Sequence, residues 1–201
     1  MEKIDLYVLD TRKSTFSELL SITKIDEADI AFLSKYKVID VKKEKLISYY
    51  FRKKYVGDYF YNEYGKPLSK NIYFNISNSK GFVVLATSKH YDIGVDTEIL
   101  RRRDEDLIKY VTNDEEYAYI KNEVGFLSVW TSKESLVKCI GTGIRTPLKE
   151  IPALPIIGQV TYKEETFYRK TFKHNDFIIS ITINCDKEFE YNLIMEDFKD
   201  E

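Results

Sequence analysis

Residues 72–88 read IYFNISNSKGFVVLATS. Two runs rich in aromatic and β-branched residues flank a short turn containing Asn78, Ser79, Lys80 and Gly81, which is the signature of a β-hairpin. The hairpin puts antiparallel sheet in the middle of the chain. A third run, HYDIGVDTEIL from His90 to Leu100, follows at once and also reads as a strand. Strand-like stretches return near residues 156–162, 165–172 and 176–184, with an edge strand near 189–195. The run DFIISITIN, at 176–184, is the densest in β-branched residues.

Helical periodicity fills the rest. Ile4 to Leu9 is a strand, 16–22 and 27–36 are short helices, and 38–56 is a longer helix, apolar over a broad arc with lysines around it. Gly65 and Pro67 mark a turn region over 62–69. The segments DEDLIKYV and NDEEYAYIKN begin with acids, which suits helix N-termini. A long helix runs from residue 123 to about 140 and ends at Gly141. The order implies an α+β protein of two halves, 1–88 and 89–201.

With 201 residues, 43% of them hydrophobic, the chain can bury one sizeable core or two small ones. Its net charge of −2 lacks the basic excess of a general nucleic-acid binder. The charge is uneven: residues 1–88 carry 15 basic and 11 acidic side chains, residues 89–201 carry 16 and 22. This favours an anion on the first half and a cation on the second. Cys139 and Cys185 form no CxxC motif, so reduced, intracellular thiols are expected, Cys139 as core. The start MEKIDLYVLD is unlike a signal peptide, and no apolar run reaches membrane-spanning length. A cytoplasmic protein with no membrane contact is the expectation.

Two acids in the third strand need explaining. Asp96 and Glu98 are two residues apart, so an extended backbone sends both to one face, about 6–7 Å apart at Cα. They repel unless something positive separates them. Oxygen ligands without nearby His or Cys point to Mg²⁺ or Mn²⁺. The bland reading is a polar strand end. Gly94 lets another backbone approach this strand, and Asp92 shares its face. In the long helix, Glu134 and Lys138 are four apart and either form an ordinary surface ion pair or serve one site. Trp130, Lys133, Val137 and Ile140 have the spacing of its buried side, with Lys133 holding its ammonium at the site's rim. Asp96, Glu98 and Glu134 together make a partial oxygen shell for a metal.

On the first half, Lys42, Lys43 and Lys45, followed by Arg52, Lys53 and Lys54, form either a solvated basic face or a phosphate-binding surface. Lys66, between Gly65 and Pro67, is a further phosphate candidate. No glycine-rich phosphate loop is present, so a nucleotide would be held by side chains across a groove. His90 is read as a structural or rim histidine, with phosphate contact as the alternative.

Four pieces in order, YGKP at 64–67, FNISNSKG at 74–81, IGVDTE at 93–98 and WTSKESLVKCIGTG at 130–143, resemble the 4′-phosphopantetheinyl transferases, specifically the pseudo-dimeric type acting on peptide and polyketide synthetases. The resemblance covers residues 32 to about 148. It implies two similar α/β subdomains about a pseudo-twofold axis, with coenzyme A in the cleft between them. It implies Mg²⁺ on Asp96, Glu98 and Glu134, and Lys138 on the coenzyme phosphates. Lys66, Lys42, Lys43, Lys45, Lys133 and Ser77 to Ser79 would serve the coenzyme's phosphates and nucleotide end. One departure stands out. The family's FNISHS is FNISNS here, so Asn78 replaces a histidine that touches phosphate. Asn donates a hydrogen bond but carries no charge, which predicts weakened coenzyme binding or compensation by a nearby lysine.

The implied reaction moves 4′-phosphopantetheine from coenzyme A to a serine of an apo carrier protein and releases adenosine 3′,5′-bisphosphate. Glu134 is the acid–base candidate, directly or through water, and Lys138 and Lys66 face the departing phosphate. The carrier would dock at 105–127 through Tyr110, Tyr117, Tyr119 and Phe126, and the monomer would be complete. Two other readings compete. One is a non-catalytic Mg²⁺–coenzyme A binding module. The other is a structural, partner-binding α+β protein.

Overall fold

A computed structural model describes residues 1–25, 27–143, 145 and 147–196. Along the chain come β1 (Glu2–Asp10), α1 (Phe16–Thr23), α2 (Glu27–Ser34), α3 (Ile39–Tyr55), β2 (Phe60–Tyr61), β3 (Pro67–Leu68), β4 (Tyr73–Ser79), β5 (Phe82–Ser88) and β6 (Ile93–Ile99). Then follow α4 (Glu105–Val111), α5 (Asp114–Tyr119), α6 (Glu123–Ile140), β7 (Ile157–Tyr162), β8 (Glu165–His174), β9 (Phe177–Ile183) and β10 (Phe189–Met195). Among the described residues, no helix is long and apolar enough to cross a membrane.

Two four-stranded sheets form, ordered β10-β1-β5-β4 and β6-β9-β8-β7. Strand alternation sorts their side chains into layers. From the first sheet, Ile4, Leu6, Val8, Phe82, Val84 and Ala86 point inward; from the second, Ile93, Val95 and the odd-numbered residues of β9 meet them. Phe82 stacks on Phe177 across this layer with ring centroids 4.2 Å apart. The other face of the first sheet, with Val83, Leu85 and Phe74, packs on Leu46, Ile47 and Phe51 of α3. The outer face of the second sheet packs on α6. The result is four layers, helix–sheet–sheet–helix. β5 and β9 are buried throughout because each has a sheet on one side and a helix on the other.

The expected hairpin is present, β4 to β5, with Lys80 and Gly81 both at positive φ, as a tight two-residue turn requires. Residues 189–195 are an edge strand as expected, but of the first sheet: β10 runs parallel to β1, pairing Glu2 with Phe189 and Val8 with Met195. The second half of the chain therefore completes the sheet of the first. Arg12 ties the layers at one end, bonding Asp10 and Asp176 at 2.6 and 2.7 Å while lying 4.8 Å above Phe177.

The buried side of α6 differs from the expected stripe. Thr131 and Ser135 face the second sheet, bonding Ser180 at 2.6 Å and Thr182 at 2.7 Å, while Trp130 and Ile140 are only half-buried. Small residues are needed there because the helix sits so close. A Cβ on Gly94 would lie 2.0 Å from the Ser135 carbonyl oxygen and 2.4 Å from the Cys139 nitrogen. Gly94 thus gives the close backbone approach expected of it.

Candidate active site

The site lies on the seam where β4 crosses β6. Adjacent strands would normally share a backbone ladder. Here side chains of β4 bond the backbone of β6 instead. Asn75 Oδ1 accepts from Val95 N at 3.0 Å, Ser77 Oγ from Thr97 N at 3.4 Å, and Ser79 Oγ from Ile99 N at 3.4 Å. The N-x-S-x-S spacing of β4 is the sequence trace of this seam, since alternate residues share one face. The partner strand was not readable from that spacing.

The same serines hold the acidic pair. Ser77 donates to Asp96 Oδ1 at 2.9 Å and Ser79 to Glu98 Oε2 at 3.0 Å. Lys138 closes the group from α6, with its Nζ 2.6 Å from Asp96 Oδ1 and 3.0 Å from Ser77 Oγ. Ser77 thereby uses its single donor and both acceptor positions. Arg103, which the sequence reading did not single out, donates to Glu98 Oε2 at 3.1 Å.

Asp96 is 6% exposed, and its second oxygen, Oδ2, is buried without a partner. Glu134 is half-buried, and no hydrogen bond or ion pair reaches its carboxyl among the described residues. Burial pushes its pKa above the ordinary value, the negative charges of Asp96 and Glu98 push it further, and Lys138 opposes. Lys138 therefore pairs with Asp96, not with Glu134 as the surface-pair reading had it. The three acids share one electrostatic environment, but no three acidic, His or Cys groups among the described residues are gathered closely enough to hold a metal. The donor chemistry still fits a hard divalent cation. The set is all oxygen, one buried carboxylate oxygen lacks any donor, and burial together with the charges of Asp96 and Glu98 raises the pKa of the third carboxyl.

Other expected residues fall elsewhere. Lys133 is a correction: it is fully buried on the far side of α6 and pairs with Glu116 at 2.7 Å. It also donates to the carbonyls of Leu148 at 2.9 Å and Ile151 at 2.6 Å, so its ammonium is nowhere near the acidic pair's rim. Arg169 is buried close by, bonding the carbonyls of Ala153 and Pro152. Lys66 is drawn into the structure as well. Its Nζ lies 2.7 Å from the Cys139 carbonyl and 3.3 Å from Asp92 Oδ1, a cation at the C-terminal end of α6. Asn62 bonds the Gly141 carbonyl at 3.2 Å, so the NEYGKP loop caps this helix. Cys139 is buried, its thiol pushed up to about 12 by that burial, as suits a core residue. His90 bonds Glu2 at 2.7 Å, in keeping with a rim position.

Asn78 lies on the opposite face of β4 from Ser77 and Ser79. It donates to Glu44 Oε2 at 2.9 Å, and Gly81 N donates to Glu44 Oε1 at 2.6 Å. The expected compensation by a lysine is not what this structure shows: Asn78's partner is a carboxylate. Lys43 lies 3.5 Å from the Thr11 carbonyl and 3.8 Å from Asp40, and Lys42 sits 5.5 Å from the Phe16 ring. Lys45 is half-buried. Of the expected docking aromatics, Tyr110 is 78% exposed, but Phe126 is core at 1%.

Comparison with known proteins meets this geometry at its centre. The 4′-phosphopantetheinyl transferase superfamily model matches residues 92–182, which include Asp96, Glu98, Glu134 and Lys138. The 4′-phosphopantetheinyl transferase gsp of Aneurinibacillus migulanus is 36% identical over 94 residues, 43% of this chain and 39% of the relative. The chain thus spans about two fifths of that relative's length. The region carrying the acidic seam and the long helix is the part of the chain that is similar to the 4′-phosphopantetheinyl transferase superfamily.

Proposed function

We propose that the chain transfers 4′-phosphopantetheine from coenzyme A to a serine hydroxyl of an apo acyl or peptidyl carrier protein. The observation that carries this reading is the under-neutralised acidic seam: the partnerless oxygen of Asp96 and the half-buried Glu134 carboxyl, with Lys138 on Asp96 and Arg103 on Glu98 leaving Glu134 without a cation of its own. Asp96, Glu98 and Glu134 would hold Mg²⁺, or Mn²⁺, which when bound neutralises charge on the pyrophosphate. The carrier serine oxygen bonds the phosphorus that carries pantetheine, and the bridge to the adenosine phosphate breaks. The serine proton passes to Glu134, directly or through a water. Lys138 meets the negative charge that develops on the departing phosphate.

In this reading the halves 1–88 and 89–201 are pseudo-twofold relatives, each supplying a long helix on the outside of a sheet, α3 and α6. The nucleotide end of the coenzyme lies along Lys42, Lys43, Lys45 and Asn78. The carrier docks over residues 105–127, where Tyr110, Tyr117 and Tyr119 are exposed and a hollow of about 330 Å³ opens between Arg103, Ile108 and Lys121. The protein acts as a cytoplasmic monomer.

The test is intact-mass spectrometry of apo carrier proteins incubated with the protein, Mg²⁺ and coenzyme A. Transfer adds about 340 Da to the carrier, and Glu134→Ala abolishes the gain. Coenzyme binding with no gain on any carrier would favour a binding module. Neither binding nor gain would favour a structural protein.

A further inference from the structure

The corner assigned to the nucleotide end contains a group of the wrong sign for phosphate. Glu44 lies inside the Lys42–Lys45 run, and at 9% exposure its side chain is held in place. Its two oxygens take a hydrogen bond each, from Gly81 N at 2.6 Å and from Asn78 Nδ2 at 2.9 Å. The hairpin turn it grips is fixed from the other side too, since Thr11 N and Oγ1 donate to the Gly81 carbonyl at 2.7 and 2.8 Å. Glu44 is therefore not a mobile surface acid that a ligand could push aside. Of the basic neighbours, Lys43 is already engaged with the Thr11 carbonyl and Asp40, and Arg12, whose side chain packs against Gly81, is engaged with Asp10 and Asp176, while Lys80 in the turn itself is exposed. A dianionic phosphate monoester beside Glu44 would meet a fixed like charge with little water to screen it. A hydroxyl would not. Each carboxylate oxygen has two acceptor positions and has filled one, so Glu44 can still take an O–H donor.

We propose that Glu44 and Asn78 make this corner a reader of a ribose 3′-hydroxyl, so that dephospho-coenzyme A serves as a pantetheine donor at least as well as coenzyme A. The inference rests on the transferase reading above and narrows its substrate. The step balances in the same way. The serine oxygen–phosphorus bond forms, the phosphorus–oxygen bond to the nucleotide breaks, and the serine proton goes to Glu134. The leaving group is then adenosine 5′-monophosphate, without a second phosphate.

Two measurements on the full chain test it. The first is calorimetric binding of dephospho-coenzyme A, coenzyme A, adenosine 5′-monophosphate and adenosine 3′,5′-bisphosphate in the presence of Mg²⁺. The second is kcat/KM for each coenzyme, read by carrier mass. The expected result is equal or tighter binding of the 3′-hydroxyl member of each pair, with a matching kcat/KM ratio. Glu44→Gln keeps an acceptor for the Gly81 N–H, and together with Asn78→His it should shift the ratio toward coenzyme A by tenfold or more. A tenfold preference of the wild-type chain for coenzyme A in both binding and turnover would overturn the proposal while leaving the transferase reading intact. An unchanged ratio in the double variant would overturn the role of Glu44 and Asn78. A 3′-hydroxyl preference in binding with no transfer from either donor would remove the transferase reading and keep the specificity. Binding of neither coenzyme removes both.

Discussion

Two lysine–carboxylate pairs sit five residues apart on α6, and they do opposite things. Lys138 meets Asp96 at 2.6 Å and Lys133 meets Glu116 at 2.7 Å. Distance does not separate them; the completeness of the surroundings does. Around Lys133 every group is used. Glu116 accepts from Ala153 N at 2.9 Å and Asn113 N at 3.0 Å besides the ammonium, and Lys133 adds two carbonyls. Burial presses the Lys133 pKa down, while the hydrogen bond and charge of Glu116 hold it up. Around Lys138 the accounts stay open: one Asp96 oxygen has no donor, and a third acid nearby has no cation of its own. A closed buried pair fixes α5 and the 148–153 segment against α6. An open one leaves electrostatic work for a ligand to complete. The same residue types in one helix are thus told apart by what is left unsatisfied.

The comparison breaks most sharply at Lys133. Lys133→Met leaves the Glu116 charge buried without its cation, and removing one partner of a buried pair costs about 3–5 kcal/mol. Urea denaturation should show this as a lower midpoint at an unchanged slope. A loss below about 1 kcal/mol, the range of exposed pairs, would mean the pair is not the closed one described. Glu134→Gln is the mirror experiment. It should reduce transfer by about a hundredfold, roughly 2.7 kcal/mol of barrier, with coenzyme affinity nearly unchanged. Its folding stability should hold or rise, because the native state already disfavours the ionised carboxyl. Equal losses in turnover and binding would reduce Glu134 to a ligand-holding role.

Sequence patterns reached the local parts of this contrast and stopped at the long-range ones. The hairpin, the shared face of Asp96 and Glu98, the end of α6 at Gly141 and the close approach at Gly94 all follow from residues a few positions apart, and the structure shows each. Lys133 was misplaced because its partner is 17 residues away on a separate helix, and a helical wheel cannot distinguish a rim from a buried counter-ion. Lys66 looked like a phosphate ligand for the same reason: a lysine in a glycine–proline turn gives no sign that a helix end lies above it. Glu44 gives no local signal of its role inside the Lys42–Lys45 run. Its role depends on a turn 37 residues later in the chain. The return of β10 to β1 joins residues 187 apart, beyond any periodicity. The superfamily resemblance recovered the acidic seam because its motifs sit on the elements that build it.

The β4–β6 seam sharpens the comparison at smaller cost. Ser77 belongs to the open site and to the fold at once, whereas Ser79 bonds Glu98 and the strand but not Lys138. Ser77→Ala and Ser79→Ala should each cost about 1 kcal/mol of stability, as for a lost hydrogen bond. Only Ser77→Ala should also lower transfer, since it frees Lys138 from one of its two partners. Equal activity losses in both variants would place Ser79 in the site on the same footing.

The smallest effect expected is at the far end of the sandwich, where Arg12 forks between Asp10 and Asp176. Burial raises the Asp10 pKa, but the hydrogen bonds and charge of Arg12 outweigh it; for Asp176, Arg12's hydrogen bond is the main cause. Both carboxyls end below their ordinary value. A group depressed in the folded state contributes stability that is present above its unfolded pKa and is lost as pH falls through the folded one. The staple should therefore be at full strength at pH 6 and fade below pH 4. Because the Arg12 and Asp176 side chains are about two fifths exposed, solvent screening holds the contribution to a few tenths of a kcal/mol up to about 1. Melting curves of the wild type and Arg12→Ala should differ at pH 6 and converge toward pH 3. A gap that persists at pH 3 would show that Arg12 acts through its position over the Phe177 ring, which does not titrate, and that the charges contribute nothing measurable.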